Sequence, residues 1–409
     1  MQFGPISRAL LRNKLGTSLL VIQIALTLAA LMNAVALMLR ANELMTQDTG
    51  VDLDNVIVVQ HYAIDAAYDE TDYRRMRLEE DLRILRAIDG VIAATASNAA
   101  PSTNGSMEGV SLPGVDAGGD HSMAAGTFFG DEQFLDAIGV ELIEGRGFHA
   151  EEINFNVNPV KEAQFDGVII TEALADRLYP DGSALGKQML VEERLKTIIG
   201  VSESFEGSLP YLGFFGISPD VLVIYPSLYS SKSLAFLIRV EPGMAETLMD
   251  TVERKLLEAD TERDLRDIDT LATYRETITG TLRYANLILI TISGLLVLTT
   301  GLGIFGLATF SVAKRRKQIG TRRALGASRT AIVAHFMTEN LIITGCGVAV
   351  GLMLGLGLNV VLTMAGLTEI NAAPAIICVV FIVLLGFVAV LAPALRAARV
   401  PPAVATRTA

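Results

Sequence analysis

Hydrophobic and polar positions divide the chain into four long apolar stretches and one long mixed segment. From Leu15 to Leu39 there are 25 uncharged residues, and 30 more lie between Arg283 and Lys314. At about 1.5 Å per residue, a helix of this length crosses a hydrocarbon core of about 30 Å. The pattern therefore predicts transmembrane helices at residues 15–40, 284–313, 336–367 and 370–395.

Residues 41–282 contain no apolar stretch of that length and alternate between strand-like and helix-like periods. The first set of elements is a strand at Val56–Tyr62, a helix over 69–88 and a strand at Val91–Ser97. A later set comprises strands at Val221–Ile224 and Leu234–Val240 and a helix at Ala245–Leu257. These sets predict one α+β lobe, at about 41–100 and 216–282, interrupted by an irregular glycine-containing lobe at about 101–215.

The predicted fold class is an α+β membrane protein. It has four transmembrane helices in a 1 + 3 arrangement, and a large two-lobed α/β extracytoplasmic domain lies between helices 1 and 2.

Charge separates the same two regions and predicts their orientation. The net charge of −12 divides into −25 for residues 41–282, which hold 43 carboxylates and 18 Lys and Arg, and +13 for the rest. Lys and Arg flanking membrane spans stay preferentially in the cytoplasm. Residues 1–14, 314–335 and 396–409 carry basic residues and no acids, so we expect both termini and the loop inside and the acidic domain outside.

Candidate catalytic and metal-binding motifs are weak. His61, His121 and His149 are far apart in sequence, and the cluster of His149 with Glu151 and Glu152 is interpreted as a solvated turn. Gly182–Lys187 partly resembles a phosphate-binding loop, but there is one residue too few between its glycines. The residue after the lysine also lacks the hydroxyl group that would bind Mg²⁺. Cys346 and Cys378 lie in apolar stretches and are interpreted as packing residues. We expect no catalytic residue, metal or cofactor, and the acidic balance argues against nucleic acid.

The segment after the second predicted span is the most informative. It reads Lys314-Arg-Arg-Lys-Gln-Ile-Gly320, then Arg323-Ala-Leu-Gly-Ala-Ser328. This pattern predicts a membrane helix that ends in a basic segment, a short amphipathic piece, and a break in which Ser328 caps the next helix.

This segment resembles the cytoplasmic loop of permease subunits of MacB-type and FtsX-type ABC transporters, which has the form E-R-x-x-E-I-G-x-x-R/K-A-L-G-A. Further similar stretches occur in the family's order along the chain: Ala9–Lys14, Gly139–Phe148, Val168–Ala175, Leu185–Lys187, Glu339–Gly345 and Ala392–Arg399. The chain departs from the family pattern at three positions where the family has carboxylates. These positions are occupied here by Lys314, Gln318 and Val404.

The resemblance implies a permease of the bacterial inner membrane that relays the motion of a separate ATPase, which would bind ATP and Mg²⁺, to periplasmic lobes called porter and sabre. The expected partners are that ATPase, a second permease subunit, membrane lipid, and a periplasmic adaptor with an outer-membrane channel for a drug, peptide or lipidic substrate. Two alternatives are a lipoprotein-release permease and an FtsX-like regulator of a cell-wall hydrolase. The implied coupling positions are Lys317, Gln318, Ile319, Gly320, Arg322, Arg323, Leu325 and Gly326.

Small and polar residues within the spans predict how the helices pack. Gly347, Gly351 and Gly355 form one small face on the third span, which permits close helix approach within the subunit. Glu339 is a candidate proton or ion site, but its position near the membrane boundary favours a structural residue that either snorkels to the interface or pairs with arginine. Asn33 and Gln23 on the first span are expected to hydrogen-bond to other helices.

Overall fold

The structure of the protein is a computed structural model. This structure describes residues 14–103, 105–114, 122–155, 165–192, 194–207, 218–228, 232–365, 367–368 and 371–401. The chain divides into two compact units. We call Met1–Glu43 with Arg283–Ala409 the helical unit, and Leu44–Leu282 the mixed unit.

The secondary structure combines long helices with short strands. The helices are α1 (Lys14–Thr46), α2 (Thr71–Arg86), α3 (Phe134–Ile138), α4 (Glu172–Leu178), α5 (Ala245–Ala259), α6 (Leu271–Lys314), α7 (Arg316–Ala324), α8 (Arg329–Met364) and α9 (Ala372–Ala398). The strands are β1 (Val56–Ala63), β2 (Val91–Ser97), β3 (Ser106–Ser111), β4 (Ser122–Gly130), β5 (Leu142–Gly145), β6 (Gly167–Thr171), β7 (Gln188–Val191), β8 (Arg194–Ser202), β9 (Leu222–Pro226), β10 (Ser233–Val240) and β11 (Arg263–Thr270).

Four helices within the described residues are long and apolar enough to cross a membrane: α1, α6, α8 and α9. One precedes the strands of the mixed unit and three follow them. Helix α6 begins at Leu271, well before the uncharged run from which it was predicted. The prediction began later because hydropathy detects only the apolar part of a helix. Helix α8 likewise begins at Arg329, within the segment expected to be a loop.

A four-stranded antiparallel sheet of order β11-β1-β10-β2 forms the first part of the mixed unit. Successive side chains of a strand point to opposite faces. On β1, Ile57 and Val59 pack in a core with α2 and α5, whereas Val56 and Val58 pack in a second core with Phe128 of β4. Both faces of β1 are therefore covered, which explains its nearly continuous apolar sequence.

The second sheet has seven strands in the order β5-β8-β6-β9-β4-β3-β7. Strand β7 pairs with β3 and also with Arg194–Thr197 of β8. The six strands β8, β6, β9, β4, β3 and β7 therefore form a closed ring. Strand β5 pairs with the other end of β8, around Gly200. Leu174 and Leu178 of α4 join the core cluster formed by this sheet.

The structure confirms the expected strands at β1, β2 and β10 and the expected helices at α2 and α5. The assignment of Val221–Ile224 to the first lobe is wrong, because β9 pairs with β4 and β6 of the seven-stranded sheet. A fully buried strand has the same apolar sequence in either sheet, so its pattern carries no information about its neighbours. The stretch expected to be irregular instead contributes strands β3 to β8.

The helical unit has its own apolar core. Ile24 and Leu28 of α1, Ile304 of α6, Ile343 of α8 and Ile382 of α9 are buried in one cluster. Polar contacts cross the same interior: the hydroxyls of Thr27 and Thr300 lie 2.8 Å apart, and Asn33 Nδ2 donates to the Gly355 carbonyl oxygen at 3.0 Å. The expected interhelical hydrogen bond of Asn33 is confirmed, and the Gln23 side chain lies against Gly303 of α6.

Candidate coupling site

The basic segment folds as helix α7 with defined breaks at both ends. Arg315, with φ −102° and ψ 12°, separates α6 from α7. After Leu325, Gly326 adopts φ +91°, a left-handed conformation that favours glycine. The N–H groups of Gly326 and Ala327 donate to the carbonyls of Arg323 and Arg322 at 3.2 and 3.0 Å, the pair of bonds that closes a Schellman motif.

Ser328 then starts α8. Its Oγ accepts a hydrogen bond from the Ala331 N–H at 3.1 Å, and its backbone is extended. A serine in this position satisfies one of the unpaired N–H groups of the first turn. The predicted N-cap is therefore confirmed, and α7 ends in a Schellman motif directly before the capped start of α8.

Helix α7 has a buried side and an exposed side. Ile319 is 5% exposed and packs in the core of the helical unit, and Gly320 is also buried. Lys317, Gln318 and Arg322 are exposed. Leu325, just after the helix, is 84% exposed, and Gly326 has no heavy atom near the position of a Cβ. The segment thus presents a bare leucine beside several cations.

A bidentate ion pair fixes the start of α7 to α8. Arg315 Nη1 and Nη2 donate to the two carboxylate oxygens of Glu339 at 2.9 and 3.0 Å. Both side chains are largely buried, at 22% and 10% exposure. Planar guanidinium–carboxylate pairs of this kind are among the stronger charge-assisted hydrogen bonds. The expected arginine pairing of Glu339 is confirmed.

The three glycines of α8 lie against α1 of the same chain. A Cβ added at Gly347 would lie 2.7 Å from Ile24 Cγ2, and one at Gly351 would lie 2.9 Å from the Ala25 carbonyl oxygen. At Gly355 it would overlap the Met32 sulfur. Such distances leave no room for a larger residue, so the small face of α8 is occupied by α1.

Other candidate residues are placed in structural roles. Glu152 binds Arg146 at 2.6 and 2.8 Å and accepts from the His149 N–H, so the His149 turn is closed by its own ion pair. Lys187 Nζ lies 4.2 Å from the Tyr179 ring centroid. Within the described ranges, His, Cys, Asp and Glu residues form no cluster suited to a metal ion. His121, Val404 and residues 1–13 lie outside the described residues.

Sequence reasoning missed a buried ionic cluster in the mixed unit. Arg263 donates to both Asp81 carboxylate oxygens at 2.7 and 3.0 Å, and Arg77 and Asp260 border the pair. Asp81 sits among many charges on α2, and Arg263 stands in a charged stretch that becomes β11. Nothing in that pattern distinguishes buried charges from solvated ones, so only the partner across the fold identifies them.

Two family models match the chain. The MacB-like periplasmic core domain matches residues 17–255, which is more than half of the chain, and the FtsX-like permease C-terminal model matches residues 290–402. Together with the four apolar helices, these matches indicate an inner-membrane protein with an extracellular domain.

Individual relatives are more distant. The macrolide export ATP-binding/permease protein MacB of Neisseria gonorrhoeae is 28% identical over 56% of this chain and 35% of its own length. The ABC transporter permease YvrN of Bacillus subtilis is 24% identical over 68% of each chain. The periplasmic region of MacB from Actinobacillus actinomycetemcomitans is 16% identical, with a TM-score of 0.33, over 56% of this chain and 94% of its own.

The chain spans about a third of the length of the MacB relatives it matches. Along the chain, the match to the periplasmic core domain comes first and the match to the permease helices second. The stretches of similar sequence noted above follow the same order. The chain belongs to the family of MacB/FtsX-type ABC transporter permeases.

Proposed function

We propose that this chain is the transmembrane subunit of an ABC exporter, driven by a separate ATPase that binds α7. The main support for this proposal is the geometry of α7. Its apolar side is anchored in the helical unit, while Leu325 and the cations face outward. The proposal rests on the position of this leucine beside several cations on a helix that is anchored on its other side, since a single exposed leucine is common on protein surfaces. The basic face favours an acidic surface on the partner.

The orientation proposed from the charges places α7 and both termini in the cytoplasm and the mixed unit outside. The chain would then transmit ATP-driven movement at α7 to the mixed unit, with a second permease subunit beside it and an adaptor and outer-membrane channel beyond. A drug, peptide or lipidic molecule is the proposed substrate class. The large outer unit supports export over the regulation of a hydrolase by a smaller domain.

The test uses Leu325→Asp in the full-length chain, together with the ATPase captured from native membranes by the unaltered protein. Burying a leucine contributes about 1.5–3 kcal/mol, so the variant should bind the ATPase at least about tenfold more weakly and should lose stimulation of ATP hydrolysis. Leu195→Asp, which changes a half-exposed leucine on β8, is the matched control and should behave as the parent protein. Unchanged binding and stimulation by Leu325→Asp would contradict the assigned role of α7.

A further inference from the structure

A cavity of about 100 Å³ lies between α7 and the first turns of α8. Its apolar walls are Ile319, Ile332 and Phe336. Its polar lining consists of Arg315, Gln318, Arg322 and His335. The cavity is therefore amphipathic, with an apolar floor and a basic rim. We call it the α7 cavity.

The fold leaves one cationic group of the rim, the guanidinium of Arg322, without an ion-pair partner among the described residues. The guanidinium of Arg315 is engaged by Glu339. Among the described residues, the exposed Arg322 side chain makes no ion pair or side-chain hydrogen bond, and the His335 ring packs edge-on against Phe336, at 5.9 Å between centroids. An uncompensated arginine beside an imidazole and an amide is suited to a phosphate oxygen.

Gln318 is an uncharged neighbour of Arg322, because it lies four residues before it on the same helix. A glutamate in that position forms a favourable i,i+4 ion pair with an arginine. The glutamine keeps the hydrogen-bonding groups but removes the charge, so the guanidinium can receive an anion from outside the chain.

The position of the cavity along the sequence identifies the source of that anion. Helix α6 is uncharged from residue 284 to residue 313, and the apolar run of α8 follows Glu339. The α7 cavity thus lies where both helices change from basic to apolar, at the depth of lipid headgroups. Basic pockets between membrane helices at this depth bind acidic lipid headgroups.

We propose that the α7 cavity binds the headgroup phosphate of an acidic phospholipid. Arg322, Gln318 and His335 contact the phosphate, and the first acyl carbons lie against Ile332 and Phe336. A free phosphate would gain nothing from that apolar floor, which favours the lipid as the source.

The experiment titrates the purified full-length chain in detergent with phosphatidylglycerol or phosphatidylcholine and counts retained lipids by native mass spectrometry. The parent protein should retain one phosphatidylglycerol per chain in preference to phosphatidylcholine. A nearby cation contributes about fivefold in affinity, so Gln318→Glu and Arg322→Gln should each reduce retention by about fivefold or more. Arg329→Gln, which removes an exposed arginine that does not line the cavity, should not.

Several outcomes would overturn the proposal. Equal losses in Arg329→Gln would indicate diffuse attraction by the whole basic face. Displacement of the lipid by millimolar inorganic phosphate would assign the site to a free anion. Full retention of phosphatidylglycerol by both cavity variants would show that the cavity does not hold the headgroup. Because no ATPase is present in the lipid titration, its result is independent of the proposed coupling function.

Discussion

His61 shows how a single buried residue sets a pH response in the mixed unit. It lies on β1 at 3% exposure, and neither ring nitrogen has a hydrogen-bond partner among the described residues. The pKa of His61 is lowered to about 4, mainly by burial, with a further contribution from the positive charge of Arg263 that exceeds the opposing effect of Asp260. The folded protein therefore holds this imidazole neutral at pH values where the unfolded chain is protonated.

The mixed unit should lose stability as pH falls from 6.5 towards 4, because only the unfolded state takes up the His61 proton in that range. By pH 5 the loss from His61 amounts to about 2 kcal/mol. His61→Phe should remove this component. Hydrogen exchange of β1 amides in the full chain at pH 7 and pH 5, corrected for chemical exchange rates, measures the difference.

Burial also raises the pKa values of Asp81 and Asp131, and that shift acts in the opposite direction because the folded state then holds protons more tightly. These carboxylates are present in both proteins, so the difference between parent and His61→Phe isolates the histidine. An equal pH-dependent loss of protection in the two proteins would rule out His61 as its source.

The Arg315–Glu339 pair should matter for the stability of the helical unit. Glu339→Gln leaves the largely buried guanidinium without its charged partner, and we expect a loss of about 1–3 kcal/mol. Thermal unfolding in detergent, followed by circular dichroism, measures the change. Glu258→Gln alters an exposed carboxylate on α5 and should leave the melting curve unchanged. Exchanging the two residues, Arg315→Glu with Glu339→Arg, should recover part of the loss, whereas an unaltered Glu339→Gln curve would show that the pair contributes nothing.

Among the helices and strands, the sequence predicted the long helices and the apolar strands β1, β2, β9 and β10, but not the fully buried β6. Strand β2 was predicted with its observed bounds because its apolar run is short and bounded by polar residues. Strand β11 was missed because its sequence from Arg263 to Thr270 alternates charged residues with few apolar ones, and the strand lies at the edge of its sheet. Pairing with β1 determines its conformation, and a pairing partner distant in the chain leaves no local signal.

The packing of α8 on α1 can be tested with alanine substitutions at two glycines, which should change the stability of the helical unit in different directions. Gly351→Ala would place a Cβ 2.9 Å from the Ala25 carbonyl oxygen and 3.0 Å from Leu28 Cβ, so it should destabilise the helical unit by about 1–3 kcal/mol. Gly345→Ala meets no atom within 4 Å and should be neutral or stabilising by up to about 1 kcal/mol, because alanine is the better helix former. Unfolding by sodium dodecyl sulfate, followed by circular dichroism, compares the two. Similar effects of both substitutions would exclude close packing as the cause.

Taken over the entire chain, the net charge of −12 is the balance of two oppositely charged regions. The acidic region coincides with the mixed unit, and the basic residues flank the apolar helices. The division into two units can therefore be predicted from the sequence, since charge and hydropathy depend only on local composition. The closed ring of strands and the buried Asp81–Arg263 pair depend on contacts between distant segments, so composition could not predict them.

The orientation can be tested with single cysteines in a chain whose Cys346 and Cys378 are replaced by alanine. Arg83→Cys places a thiol on the exposed face of α2, and Arg329→Cys places one at the start of α8. If basic flanks remain inside, a membrane-impermeant maleimide added to spheroplasts should label only the thiol at position 83, and permeabilised cells should show labelling at both. Labelling at position 329 without permeabilisation would reverse the orientation. It would also remove the basis for placing an ATPase at α7, because ATP is available only on the cytoplasmic side.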